Sequence, residues 1–353
     1  MKKLFLIIFS LFLILQSVWG FDFEESDLES EEALIKLYAR WRSHYSVERL
    51  PQEIEFRLNV FNNSMLYVYH TMTIPYNKKL NNFADWTLEE FHNTYGDDCH
   101  NGSEELESGS GQVMYENATE LPDSFDWREK NAVTPVKDQG SCCSCWAFSA
   151  VAAIEGINQI TTDDPDVLLS LSTQELVDCD TQNNGCLGGL ANKTFNFVEE
   201  RGGITTEAKY PTTNTKDSCK TVNKIGLVKI DGYNRVPSRD ENALARFVYQ
   251  QPISVGIALA TTDKEYIKQY NGELFKSCGK VLNHAMTAVG YGIYPNGTKF
   301  WILKNSYGVG WGEKGYLMLE KDVKSPNGRC GITLAAWYPI MNSPKMEDVK
   351  DEL

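Results

Sequence analysis

The chain has no second long apolar run. After Leu4 to Leu15 nothing approaches the roughly 20 residues that a membrane-spanning helix needs, which excludes a multi-span membrane protein. Basic residues are scarce, 34 Lys and Arg against 48 Asp and Glu for a net charge of −14, and they do not cluster. Nucleic-acid binding therefore has no electrostatic footprint. Histidine is scarcer still: of five, His44, His70, His92 and His100 precede residue 119, and only His284 follows it. Low-complexity tracts are missing too, which removes collagen, coiled coil and bulk disorder.

What is present is a globular composition, 42% hydrophobic and 23% charged over 353 residues, enough for two or three domains. The acidity is uneven. Residues 21–118 hold 19 acids and 7 bases, or −12, and the leader adds +2, which leaves −4 for residues 119–353. A separable N-terminal piece is expected.

Lys2 and Lys3 precede the apolar run, and small Gly20 follows with Val18 two positions before it, so residues 1–20 read as a cleavable secretory signal. An uncleaved anchor would put the polar Ser10 and Gln16 into lipid. The mature form is expected to have no membrane span and to occupy an oxidising lumen, where sequons at Asn62, Asn101, Asn117, Asn192 and Asn296 fit. The last four residues, Lys350 to Leu353, spell KDEL, the address read by the endoplasmic-reticulum retrieval receptor. The expected location is the lumen of that compartment or vesicles derived from it, with delivery to a vacuole or lysosome, or secretion, after loss of the tail.

Leu34, Leu37, Tyr38, Trp41 and Tyr45 fall at helical spacing, as do Ile54, Leu58, Phe61, Met65 and Val68 behind Pro51. A loop rich in Gly, Ser and Glu runs from Gly96 to Gly111, and a new pattern starts at Leu121-Pro122. Ser144 is placed to cap a helix from Cys145 through Ile157, and Ser172 with Glu175 forms a capping box for a short helix to Val177. After about Ile230 strand-like runs take over: Pro252 to Ala258, His284 to Tyr291, Lys299 to Lys304 and Gly315 to Glu320.

Cys145 at the first turn of a helix sits where the dipole and unpaired N–H groups favour a thiolate. His284 is the one histidine available as its base if the later domain acts alone. Gln139-Gly140-Ser141-Cys142-Cys143-Ser144-Cys145-Trp146 resembles the nucleophile segment of the papain family of cysteine proteases. Asn283-His284-Ala285, Lys304-Asn305-Ser306-Tyr307-Gly308 running into Trp311, and Cys186-Leu187-Gly188-Gly189 resemble its histidine, asparagine and cleft-wall segments. The likeness covers residues 121 to 340, with His284 and Asn305 lying 139 and 160 positions after Cys145.

The resemblance implies a two-domain α+β fold, a mainly helical lobe over about 121–230 and an antiparallel, barrel-like β lobe over about 231–340, with the active-site cleft between them. It implies a monomeric endopeptidase acting on proteins and peptides, with no metal or organic cofactor, and open to cystatin-like inhibitors. It assigns Cys145 as nucleophile, His284 as base, Asn305 as orienting amide and Gln139 as oxyanion donor, and Gly188, Gly189 and Trp311 to the substrate cleft. Leu190, Ala191, Gly256, Ala285 and Ala335 map to the main specificity pocket, so apolar side chains are expected two residues before the cut. It pairs Cys142 with Cys186, Cys179 with Cys219 and Cys278 with Cys330, leaving Cys99 and Cys143 unassigned.

Residues 21–120 resemble the inhibitory proregion of the cathepsin L-like branch through Glu53, Arg57, Val60 and Phe61, then Asn81, Phe83 and Asp85. Ser64 and Met72 replace Asn, and Lys79 replaces Gly. Protonation of its carboxylates is expected to loosen it in acid. Residues 341–353 complete the chain as a tail. Together with this terminus the chain most resembles KDEL-tailed cysteine endopeptidases. Two other readings stay open: an oxidoreductase using Cys142-x-x-Cys145, and a catalytically silent homologue, given Cys143 and Tyr307 where the family has Gly and Trp.

Overall fold

The computed structural model describes residues 20–71, 79–96, 120–162, 168–220 and 228–342. The signal, the KDEL tail, Met72, Cys99, Asn101 and Asn117 fall outside these residues. Among the described residues no helix is long and apolar enough to cross a membrane.

Among the described residues three helices come first: α1 Glu31–Tyr45, α2 Ile54–Thr71 and α3 Leu88–Tyr95. Ser30 caps α1 by accepting from the Ala33 N–H at 3.1 Å, with Glu31 and Glu32 in the first turn. The apolar stripe at helical spacing buries Leu37, Tyr38 and Trp41 against Phe61, Met65 and Val68 of α2. The rings of Tyr38 and Trp41 lie 5.0 and 5.3 Å from Phe61. A two-residue ladder, β1 Phe21–Asp22 with β2 Lys79–Leu80, closes this unit. Helix α3 was not expected from spacing. It begins at a capping box in which Thr87 accepts from the Glu90 N–H and Glu90 accepts from the Thr87 N–H.

The next helix, α4 Cys145–Thr162, runs five residues beyond the expected end at Ile157. Its side chains from Cys145 to Gln159 are all buried, so no polar face marks where it stops. The Ser144 hydroxyl donates to the Cys142 carbonyl at 3.2 Å, and the α4 first turn uses the Ser144 carbonyl instead of the expected side-chain cap. Ser172 does cap α5 Thr173–Cys179. The Glu175 carboxylate, expected to complete that box, accepts from the Thr205 N–H and pairs with Arg201.

After α6 Ala191–Arg201 the chain enters an eight-stranded sheet. Its order is β4 (Gly232–Arg235), β10 (Ala336–Ile340), β5 (Ile253–Ile257), β7 (His284–Ile293), β8 (Lys299–Lys304), β9 (Tyr316–Glu320) and β6 (Leu274–Phe275). Pairing is antiparallel except for β6 with β9. Short β3 (Phe125–Asp126) pairs with β7, where a Cβ on Gly290 would stand 2.3 Å from the Phe125 carbonyl. Only glycine admits that approach. Two further helices, α7 Glu241–Gln250 and α8 Lys264–Gln269, interrupt a half that the sequence reading made mostly sheet.

Helix α4 is tied to β7 across the lobe boundary. Ser149 Oγ donates to the Met286 carbonyl and Thr287 Oγ1 donates to the Ser149 carbonyl. The start of α4 and the start of β7 therefore meet at one place.

Candidate active site

The loop before α4 is fixed at both ends. The Cys142–Cys186 disulfide staples it to the short helical turn Gly185–Leu187, and the Gln139 N–H donates to the Ser306 carbonyl at 2.9 Å. The Gln139 side chain is fully buried. Its Oε1 accepts from Ser306 Oγ at 2.6 Å and its Nε2 donates to the Cys142 carbonyl at 3.2 Å. An amide nitrogen carries two hydrogens, so one stays available to a ligand. Ser306, which orients this amide, was not among the expected site residues.

His284 opens β7, and Asn305 follows the last residue of β8. Antiparallel pairing of Thr287 with Lys304 brings the two ends side by side. His284 Nε2 donates to Asn305 Oδ1 at 2.8 Å. An amide oxygen only accepts, so Nε2 carries the proton and Nδ1 is the nitrogen left for proton transfer. The Tyr307 ring covers this pair at 5.0 Å from the imidazole.

The Cys145 sulfur lies at the first residue of α4. Cys145 and Ala285 also pack together, with Cys143 against them. Burial pushes the thiol up to about 11, while the N–H groups of Ala285, Trp146 and Cys145 itself pull it down. Cys145 is fully buried.

Three of the five expected specificity residues lie together. Gly256 pairs with Ala285 between β5 and β7 and donates its N–H to the Ala335 carbonyl at 2.7 Å. A Cβ on Gly256 would reach Ala335 Cβ at 3.1 Å and Leu282 Cδ1 at 3.2 Å. Leu282 was missed by the sequence reading and borders this apolar patch. Leu190 and Ala191 stand on the other lobe at the start of α6. Asn183 Oδ1 accepts from the Leu190 N–H at 2.8 Å and would meet any Cβ on Gly189 at 2.6 Å. Gly188 holds φ +111° beside it. Trp311 is fully buried, donating to the Ile267 carbonyl and lying 5.3 Å from Tyr307.

The disulfides Cys142–Cys186, Cys179–Cys219 and Cys278–Cys330 are all formed. Because Cys142 is bonded to Cys186, it cannot serve as the redox partner of Cys145, which removes the physical basis of the oxidoreductase alternative. Cys143, left unassigned by the sequence reading, is disulfide-bonded. The sequon at Asn192 is buried within α6 and closed to a glycan, whereas Asn296 is exposed.

The N-terminal helices pack against α8 and the core of the β lobe. Asn81 Nδ2 donates to the carbonyls of Lys268 and Tyr270 at 2.6 and 3.2 Å, and the Lys268 ammonium donates to Trp86 O at 2.7 Å and to Ser64 Oγ at 3.2 Å. Ser64, a departure from the expected Asn, thus serves a buried lysine. Tyr95 Oη donates to Asp138 Oδ1 at 2.9 Å, one residue before Gln139, and its ring lies 4.6 Å from Tyr307.

The profile of the papain family cysteine proteases matches residues 121–340. The chain is 49% identical to KDEL-tailed cysteine endopeptidase CEP2 of Arabidopsis thaliana, with the whole of both chains covered. It is 46% identical to vignain of Vigna mungo, covering 100% of this chain and 99% of that protein. Among solved structures it is similar to the proform of the ragweed pollen cysteine protease Amb a 11, at 41% identity and a TM-score of 0.78 over 92% of this chain and 100% of that one. It is likewise similar to the recombinant stem bromelain precursor, at 35% identity and a TM-score of 0.74 over 88% and 99%.

Proposed function

Because the chain belongs to the papain family of cysteine proteases, we propose that Cys145, His284, Asn305 and Gln139 carry its chemistry. The protein is a cysteine endopeptidase made as a zymogen, with an N-terminal proregion acting as intramolecular inhibitor. His284 Nδ1 takes the Cys145 proton, and the sulfur attacks the peptide carbonyl carbon. The oxyanion is received by the free hydrogen on Gln139 Nε2 and by the Cys145 N–H. The imidazolium then protonates the leaving amine, and water, activated by the same ring, hydrolyses the thioester. Asn305 holds the ring throughout by accepting from Nε2–H.

The observation that supports these roles best is the 2.8 Å bond from His284 Nε2 to Asn305 Oδ1, with Cys145 packed against Ala285 beside that histidine. A thiol-reactive peptidyl epoxide should label the matured wild type and not Cys145→Ser. Label retained in that variant and lost in Cys143→Gly would move the nucleophile. Loss of the Gln139 donor should lower kcat by about 100-fold, in line with other oxyanion holes.

Apolar, uncharged surroundings at Gly256, Ala285, Ala335 and Leu282 favour Leu or Phe two residues before the cut. Peptides with Arg at that position should be cleaved far more slowly, and a profile led by Arg would reject the pocket assignment. The boundaries proposed are 1–20 for the signal, 21–120 for the proregion, 121–340 for the peptidase and 341–353 for the tail. The terminal KDEL and the likeness to a KDEL-tailed relative favour residence in the secretory pathway, with retrieval by the KDEL receptor. Cystatin-like proteins are the inhibitors expected of such a cleft.

A further inference from the structure

Backbone polar groups are ordinarily paired, and the segment from Gly188 to Leu190 obeys this at two of its three residues. The Gly188 N–H donates to the Gly185 carbonyl at 3.4 Å, and its own carbonyl accepts from the Asn184 N–H at 3.0 Å. The Leu190 N–H donates to Asn183 Oδ1 at 2.8 Å, and its carbonyl accepts from the N–H and the hydroxyl of Thr194 at 3.2 and 3.1 Å. Gly189 lies between them, half-buried, and among the described residues neither its N–H nor its C=O has a partner. A residue with both groups open is a template for another extended chain.

Asn183 is what fills the space behind it. Its side chain is buried, with Nδ2 donating to Asp180 Oδ2 at 2.7 Å, to Thr194 Oγ1 at 3.2 Å and to the Leu190 carbonyl at 3.3 Å, while Oδ1 takes the Leu190 N–H. A donor end among acceptors and an acceptor end on a donor leave the amide one orientation. Asp180 is buried too, directly after α5, whose last residue is held by the Cys179–Cys219 disulfide. Its second oxygen accepts from the Gln182 N–H at 2.8 Å. A Cβ at position 189 would stand 2.6 Å from Asn183 Oδ1 and 2.8 Å from Trp146 Cδ2. The back of Gly189 is therefore closed, and only its backbone edge is left to meet a ligand.

We propose that Asn183, backed by Asp180, is a positioning residue for peptide cleavage: it fixes the flanks of Gly189 so that this glycine offers its N–H and C=O together to the main chain of the substrate. The proposal rests on the reading of Gly189 as a cleft residue and of Leu190 and Ala191 as part of the pocket for the side chain two residues before the cut. That substrate residue then lies level with Gly189. Its N–H donates to the Gly189 carbonyl, and its carbonyl accepts from the Gly189 N–H. Asn183 touches no substrate atom, so its effect falls on main-chain recognition and not on the choice of side chain.

The test compares two peptides on the matured protein, identical except that in one the N–H of the residue two before the cut is replaced by an ester oxygen. Wild type should cleave the amide with a kcat/KM about threefold to tenfold above the ester, the usual effect of one net hydrogen bond. In Asn183→Ala that ratio should fall to about twofold or less, because the Gly189 carbonyl is no longer held in place. A merely structural role would slow both peptides alike, and an unchanged ratio overturns the proposal. Asp180→Asn offers one oxygen to two donors, Asn183 Nδ2 and the Gln182 N–H, and should give a ratio between the other two. It decides the matter if Asn183→Ala does not fold: a lowered ratio supports the proposal and a wild-type ratio overturns it. The peptidyl epoxide separates this result from the peptidase reading. A wild type that takes the label at Cys145 yet cleaves both peptides equally overturns the role of Gly189 and Asn183 alone, whereas a wild type that takes no label fails the peptidase reading and the proposal with it.

Discussion

The two ends of the proregion use their aromatic residues differently. Helices α1 and α2 bury Tyr38, Trp41, Phe61 and Met65 in a core of their own. Helix α3 gives Phe91 and Tyr95 to the core of the β lobe, alongside Tyr270, Tyr307 and Trp311. One end is built to fold and the other to dock. The inhibitor can thus lose its grip on the enzyme without first losing its own structure, and the reverse route, unfolding first, is open only where the private core is weak.

Three substitutions press on this contrast. Phe61→Ala should destabilise the α1–α2 unit by about 3–5 kcal/mol, the usual effect of emptying a buried aromatic site. Calorimetry of the precursor should then show an early transition separate from that of the β lobe; a single unshifted transition would mean the two cores unfold together. Tyr95→Phe keeps the ring on Tyr307 and removes the bond to Asp138, worth about 1.5–3 kcal/mol for a charged acceptor. Alkylation of Cys145 in the precursor should quicken about tenfold or more with no change in the first transition, and an unchanged rate would place the restraint elsewhere.

The smallest effect concerns the clasp between α2 and α3. Arg57 donates to both oxygens of Glu90 at 2.7 Å, and this bond holds the Glu90 carboxyl down to about 2. A depressed carboxyl contributes stability above its unfolded value near 4.3, lost as pH falls through about 2. The clasp is therefore intact at pH 4.5 and is not the acid trigger expected of the proregion's carboxylates. Glu90 is 38% exposed, so screening keeps its contribution to about 1 kcal/mol or less. Glu90→Gln should leave the pH of conversion where it is, and a shift of a full pH unit would restore Glu90 as the sensor.

Much of this was legible in the sequence, for physical reasons that vary by element. Helices α1 and α2 have one buried face each, so their apolar spacing is regular. Helix α3 has eight residues and two buried ones, Phe91 and Tyr95, too few for a period, although the capping box from Thr87 to Glu90 marked its start. The β6–β9 pair is two residues long and parallel, a contact that no local pattern encodes. In the site, Cys145, His284, Asn305 and Gln139 carry recognisable neighbours in the chain. Ser306 and Leu282 matter through what they touch, Gln139 Oε1 and the space above Gly256, and only the folded chain brings those together.

The glycine at 290 sets a limit on how the precursor can be trimmed. Strand β3 lies so close over it that Phe125 and Asp126 are part of the catalytic sheet, not of the connector. A cut between residues 120 and 125 leaves this edge in place and changes only the ragged start. A cut downstream would strip an edge from the strand that begins with His284.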